Sequence, residues 1–257
     1  MRRTTALLAI FVFLVPAAAL GQDVEANPAR PTVSTPATLT PVGYLQFETG
    51  VLGAERSAEF ANQTSFNEVI KFAPVKRLQF IVLSGPFAVT DTGPETTRDP
   101  GDVFAGFQAM LIDGGERKPT VAVSYFRRVY SGTAPDIDIG SNRQSALLLL
   151  SANIFGFHID HNYIFAEQIE NAVHRGQFGQ TLSIAHPLPH KFTMAGEIWH
   201  FTQPFLHSNT TGLLFAPSYA VKPNLIIDAG FNRGLNKTST RWEVFLGFTY
   251  LLPKKLL

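Results

Sequence analysis

The stretch Arg241-Trp242-Glu243-Val244-Phe245-Leu246-Gly247-Phe248-Thr249-Tyr250-Leu251-Leu252 alternates with period two. Trp242, Val244, Leu246, Phe248, Tyr250 and Leu252 share one face, and Arg241, Glu243, Gly247 and Thr249 share the other, because successive strand side chains point to opposite sides. One face suits hydrocarbon and the other water. The same division recurs upstream. Leu225, Ile227, Ala229 and Phe231 oppose Asp228 and Asn232. Phe157, Ile159, Tyr163 and Phe165 oppose His158, Asp160, Asn162 and Gln168. Ala146, Leu148, Leu150 and Ile154 oppose Arg143, Ser145, Ser151 and Asn153, with Leu147 and Leu149 against the pattern. Val103, Ala105, Phe107 and Leu111 oppose Asp102 and Gln108, and Leu45, Phe47 and Val51 oppose Gln46 and Glu48.

Composition narrows the classes that such strands can build. The chain has 257 residues, 22 Phe, no Cys, 16% charged residues and a formal charge of +1. The absence of Cys excludes a thiol nucleophile, a zinc ribbon and an iron–sulfur site. A near-neutral balance with no basic block argues against a nucleic-acid partner, since phosphate binding needs clustered Lys and Arg. The mean hydropathy is nevertheless +0.08. Residues 1–21 account for part of it: Arg2-Arg3, an apolar run from Ala6 to Val15, Pro16, and small residues at 19 and 21 form the pattern of a secretory signal peptide. The run is too short for a spanning helix, which needs about 20 apolar residues, and no longer one follows. A chain with this composition that crosses a membrane must therefore cross as a closed β-barrel, because lipid offers no partner to unpaired backbone groups.

Period two begins after Gly43. Strands are expected at about 44–54, 64–73, 78–90, 102–112, 120–130, 143–154, 157–168, 176–186, 192–203, 212–221, 225–234 and 241–252. They occupy more than half of the chain left after the signal, against about 20–25% in ordinary globular domains. The gaps at 55–63, 91–101, 131–142, 169–175, 204–211 and 235–240 are on the whole longer than the intervening ones at 74–77, 113–119, 155–156, 187–191 and 222–224. Short periplasmic turns alternating with longer external loops are the arrangement of bacterial outer-membrane barrels. The fold class expected is therefore all-β: a transmembrane antiparallel up-and-down barrel over 43–257, with an even number of strands near twelve. Residues 22–42, with Pro28, Pro31, Pro36 and Pro41 among small polar residues, read as an extended periplasmic lead-in. Ser84-Gly85-Pro86 suggests a bulge, since proline cannot donate to a ladder. Glu68 on an apolar face, and Trp199 and Phe201 on a polar one, break the pattern.

Two motifs carry a family resemblance. One is the lead-in Asn27-Pro28-Ala29-Arg30-Pro31 followed by Gly43-Tyr44-Leu45-Gln46-Phe47-Glu48-Thr49-Gly50; the other is the strand start Gly101-Asp102. With them the chain resembles the outer-membrane transporter family associated with meta-pathway phenol degradation. That resemblance implies a barrel of about twelve strands, a place in the outer membrane and a role in moving small, often hydrophobic or aromatic solutes. The run Phe245 to Leu252 also resembles the C-terminal strand signal read by the barrel-assembly machinery, though Pro253-Lys254-Lys255-Leu256-Leu257 follows it. Outer-membrane lipid, that machinery and a small solute are the partners implied.

The candidate path residues are the polar groups of the inner face: Gln46, Glu48, Asp102, Gln108, Arg128, Arg143, Asn153 and His158, and further along the chain Asp160, Asn162, Glu197, Asp228, Asn232, Arg241 and Glu243. Charges of both signs in a narrow lumen either line a weakly selective path or pair across it and fill it, and the alternation admits both. A filled barrel acting through its external loops is the alternative function. No cofactor is expected. The histidines do not converge on a metal, because His158 and Asp160 share a face that His161 does not. A lipid-facing Ser and His pair, as outer-membrane phospholipases use, is not expected either: His161 has Ile159 and Tyr163 beside it and no Ser. No enzymatic activity is expected.

Overall fold

A computed structural model describes residues 24–115, 118–138 and 142–257; the signal peptide expected over 1–21 lies outside them. The strands in chain order are β1 (Leu45–Glu55), β2 (Asn62–Val75), β3 (Leu78–Asp91), β4 (Thr96–Asp99), β5 (Val103–Ile112), β6 (Thr120–Tyr130), β7 (Asn142–Ile154), β8 (Phe157–Glu170), β9 (Val173–Leu188), β10 (Phe192–Phe201), β11 (Thr210–Lys222), β12 (Leu225–Gly234) and β13 (Trp242–Leu251). Each pairs antiparallel with its neighbours. Since β1 pairs with both β13 and β2, and β2 with β3, the sheet closes on itself. Twelve strands form the barrel, and short β4 adds to the upper end of β3 within an external loop.

The alternation decides which side chains face outward. Val244 and Leu246 are 60% and 61% exposed, while Glu243, Gly247 and Thr249 between and beside them are buried or enclosed. Phe80, Phe107, Phe165, Phe215, Phe231 and Phe248 continue the outer apolar belt. A patch of that extent is unstable in water and is what a hydrocarbon surround requires. Every strand is long enough to cross, apart from β4, given the need for about 9–11 tilted residues.

Three local features differ from, or refine, the reading of the sequence. The loop expected at 169–175 is a two-residue turn at Asn171 and Ala172, both with positive φ, 48° and 62°. Such a turn matches the right-handed strand twist, so β8 and β9 stay paired to Glu170 and Val173. The expected bulge exists: between Phe66↔Phe87 and Glu68↔Ser84, β3 carries the extra residue, and Pro86 sits in it. Finally, the lead-in expected in the periplasm lies inside the barrel. Its extended backbone has many unpaired N–H and C=O groups, and the inner wall supplies their partners.

Candidate functional site

The plug is residues 27–40. It enters at the end of the short turns, where Ala26 N donates to Pro223 O at 2.8 Å, and returns there, where Gly43 N donates to Ala73 O at 2.8 Å. Between those points the wall holds it at successive strands. Gln46 Oε1 accepts Asn27 N at 2.9 Å, and its Nε2 donates to Asn27 O at 2.7 Å. Glu48 accepts Ala29 N and Arg30 N and pairs with the buried ammonium of Lys71. Glu197 accepts Val33 N at 2.7 Å and Ser34 N at 2.6 Å. Asn162 makes a reciprocal pair with the Thr35 backbone, at 2.6 and 2.9 Å. Ser151 Oγ accepts Ala37 N at 2.7 Å and donates to Asp160 at 2.5 Å. Gln108 donates to Pro36 O at 3.0 Å, and Gln79 accepts Thr40 N at 2.9 Å. Hydrogen bonds to ionised groups are worth about 1.5–3 kcal/mol each, so the carboxylates are the main anchors.

Arg30 is the one long side chain of the plug, and the wall is shaped for it. Its guanidinium makes a bidentate pair with Asp228, Nε to Oδ2 at 3.2 Å and Nη2 to Oδ1 at 3.0 Å. It also lies 5.8 Å from the centre of the Phe245 ring. Gly50, Gly247 and Asp228 form one inward row across β1, β13 and β12. A Cβ at Gly50 would stand 2.7 Å from Arg30 Nη2, and one at Gly247 2.5 Å. The two glycines thus form the floor on which the guanidinium rests. Gly247→Leu is expected to expel Arg30 from Asp228 and loosen the plug; hydrogen exchange at amides 29, 30, 33 and 34 would then speed up by about an order of magnitude or more, with the barrel intact by heat-modifiable migration.

The inner face changes character along the barrel axis. Toward the short turns it is polar and filled by the plug. Toward the loops it is apolar, with Phe104, Phe126, Leu147, Ile164, Trp199 and Phe201 turned inward around a cavity of about 560 Å³. These include three residues that break the sequence pattern. Leu147 also packs against the buried cluster of Ala37, Ala122 and Leu149, so the second apolar exception, Leu149, is matched to the plug's alanine. Trp199 Nε1 donates to Asn232 Oδ1 at 2.9 Å, and Asn232 Nδ2 to Glu243 Oε1 at 2.7 Å. The plug's Arg30 and Val33 form the floor, and Pro135, Asp136, Ile137 and Asp138 contribute to the roof.

That roof is the loop after β6, which spans the mouth. On one side Gly132 N donates to Asp102 Oδ1 at 2.8 Å, and Ala134 N to Pro100 O at 3.1 Å. Arg128 pairs with Asp102 at 3.0 Å. On the far side Thr210 Oγ1 donates to Asp138 O at 3.0 Å, Gln203 Nε2 donates to the same oxygen, and Thr240 N donates to Asp138 Oδ1 at 2.7 Å. Burial pushes the Asp136 carboxyl up to about 7, with the charges of Asp102 and Glu59 adding to the rise and Arg128 opposing it. Burial likewise raises Asp138.

The expected path residues therefore divide. Gln46, Glu48, Gln108, Asp160, Asn162, Glu197 and Asp228 hold the plug, directly or through Ser151. Asn232 and Glu243 line the cavity, and Asp102 and Arg128 hold its roof. Asn153 and His158 meet at 2.8 Å near the short-turn end, with His158 Nε2 3.2 Å from Asp160. Arg143 is the bulged residue between Asn142 and Gln144 of β7, away from the plug. Arg241 precedes β13 on the exposed rim, its N–H bonded to the carbonyls of Glu55 and Arg56; it is not in the lumen, because the inward row ends at Glu243. Lys71, Gln79, Ser151 and Thr181 belong to the plug contacts and were not among the candidates. Lys71 and Gln79 do carry a signal, since each is a polar residue between outward apolar neighbours.

No family model matches the sequence, and no curated protein does. Solved structures do match in fold. An outer-membrane channel from Pseudomonas putida F1 is similar at a TM-score of 0.59 and 12% identity, over 91% of this chain and 100% of that one. The NanC porin is similar at 0.56 and 12%, over 79% and 98%, and the KdgM porin at 0.55 and 11%, over 80% and 98%. The likeness is one of fold, and these three solved barrels are outer-membrane channels and porins.

Proposed function

We propose that the chain is an outer-membrane channel through which a small apolar or aromatic solute passes by passive diffusion. The observation that carries this is the apolar cavity roofed by the loop after β6 and floored by the plug. Its volume lies within the ~300–1,000 Å³ of small-molecule sites, and most of its exposed wall is apolar, with charged groups of both signs, Arg30 and Lys71 against Glu48, Asp102 and Glu243, among its lining. The cavity lining also crosses the wall. Glu68, Ser84 and Phe87 line it, yet they lie on the outward side of β2 and β3, on either side of the Pro86 bulge. There the ladder between β3 and β5 stops at Ser84↔Val103, and Gly101 N bonds Gly85 O instead. Gly85 N also bonds Asp102 O at 3.2 Å, and parting these two bonds would give an apolar solute held above the plug a sideways route into the bilayer. The resemblance to the meta-pathway phenol transporters supports the same reading, the likeness in fold to outer-membrane channels and porins supports a channel in general, and β13 is the strand by which the assembly machinery would take hold of the chain.

Ala166 is an inward, buried residue of β8 on the cavity wall. Ala166→Trp fills the space with an indole and is expected to cut uptake of a neutral aromatic probe into proteoliposomes by about tenfold, with the plug in place. Equal flux in wild type, variant and empty liposomes would refute the channel. The filled lumen favours a second reading, a structural or adhesive barrel acting through its loops. On that reading deleting 91–101 and 131–142 abolishes function while Ala166→Trp leaves it unchanged.

A further inference from the structure

At the loop end of β12, β13 and β1, three arginines meet on the outer surface. Arg233 faces outward from β12, directly opposite Trp242 of β13. Its guanidinium stacks on the indole at 4.4 Å and donates to Arg241 O at 2.8 Å. Arg241 is exposed, and its N–H bonds the carbonyls of Glu55 and Arg56, which brings the third arginine alongside. Glu55, the carboxylate of this group, is 3.1 Å from Arg56, and both are solvent-exposed. Three arginines thus stand at this corner beside a single carboxylate, that of Glu55, which pairs with Arg56, and the Arg233 guanidinium is already held in a fixed plane by an aromatic face and a carbonyl.

Below them on the same outer face runs a ladder of rings. Phe231 lies 6.2 Å from Trp242, and Phe215 5.8 Å from Phe231; Val244 and Leu246 flank it on β13. Cationic groups above a strip of exposed rings match an amphiphile with anionic heads and acyl chains. We propose that this corner of the barrel is a binding site for the phosphates of lipid A in the outer leaflet. Planar, fully charged guanidinium groups suit bidentate phosphate recognition, and the ring ladder takes the chains. A free phosphate would use the arginines and leave the ladder uncovered. The site rests on the loop end facing the outer leaflet, and not on the cavity carrying solute.

The test uses the full chain folded in lipid-free detergent micelles and titrated with bis-phosphorylated lipid A, with native mass spectrometry as the readout. Wild type is expected to retain one lipid per barrel. Arg56→Gln/Arg233→Gln/Arg241→Gln is expected to lose about tenfold or more in affinity, and dephosphorylated lipid A is expected to bind wild type as weakly. Solute uptake is unaffected in either case, so failure here and failure of the channel reading are separate results. Should the triple variant not show heat-modifiable migration, Arg233→Gln alone replaces it, and the dephosphorylated arm needs no variant. Equal retention of phosphorylated and dephosphorylated lipid, retention by the arginine variants at the wild-type level, or displacement by equimolar inorganic pyrophosphate would each overturn the proposal.

Discussion

Deleting residues 27–40 is expected to raise the unitary conductance in planar bilayers several-fold and to make the pore cation-selective. The segment fills the polar half of the lumen, so its loss opens a water path from the cavity to the short-turn end. The selectivity follows from which charges remain. Glu48 keeps Lys71, but Asp228 loses Arg30, and Glu197 loses its backbone and hydroxyl donors. Uncompensated carboxylates in a narrow lumen attract cations. A shift of the reversal potential toward the cation value under a salt gradient is the measurement, and an unchanged conductance would show that the plug does not close the barrel. Arg30→Gln isolates one anchor: breaking a buried pair leaves Asp228 uncompensated, at a cost of about 3–5 kcal/mol, read as a lower unfolding temperature with β-content retained.

Lowering the pH is expected to close the roof. Asp136 and Asp138 hold their protons more tightly when the loop lies across the mouth, because burial there disfavours the charged form. The closed roof is therefore favoured fully below the ordinary carboxyl value of 3.8 and loses that advantage as pH rises toward about 7, the value of enclosed Asp136. Conductance of the chain lacking residues 27–40, in which the plug no longer closes the lumen, should rise between pH 4 and pH 7 and level off above it. Asp136→Asn should flatten most of the rise, and Asp136→Asn/Asp138→Asn should remove it, with the loop amides 132–138 protected from exchange at pH 8. The like charges of Asp102 and Glu59 and the opposing charge of Arg128 face the same group, so Arg128→Gln should move the rise to higher pH. A profile flat across this range in the chain lacking residues 27–40 would rule out proton control of the roof.

How much of this could be read in the sequence depends on what fixes each feature. The strand faces could be read, because alternation is a property of every extended chain. Gln46, Glu48, Asp160, Asn162, Glu197 and Asp228 were found by parity alone. The apparent exceptions were informative in a way that parity cannot express. Trp199, Phe201 and Leu147 face inward because the lumen is apolar at that height, and Glu68 faces outward beside a bulge. Period two separates inside from outside and carries no coordinate along the axis.

The lead-in shows the same limit. Its prolines and small residues define an extended segment without a core of its own, which holds equally below a barrel or within one. What places it inside is a set of contacts between residues far apart in the chain: Ser34 with Glu197, Thr35 with Asn162, and Arg30 across Gly50 and Gly247 to Asp228.

The sequence by itself determined a barrel with an apolar outside, a mixed-charge inside and near-even charge, since these follow from side-chain alternation and from the need of every backbone group for a partner in lipid. Only the tertiary structure decided that the inner charges face a plug instead of one another. Closing the sheet sets the lumen's width, and the width leaves room in the polar half for one extended strand of the chain's own backbone.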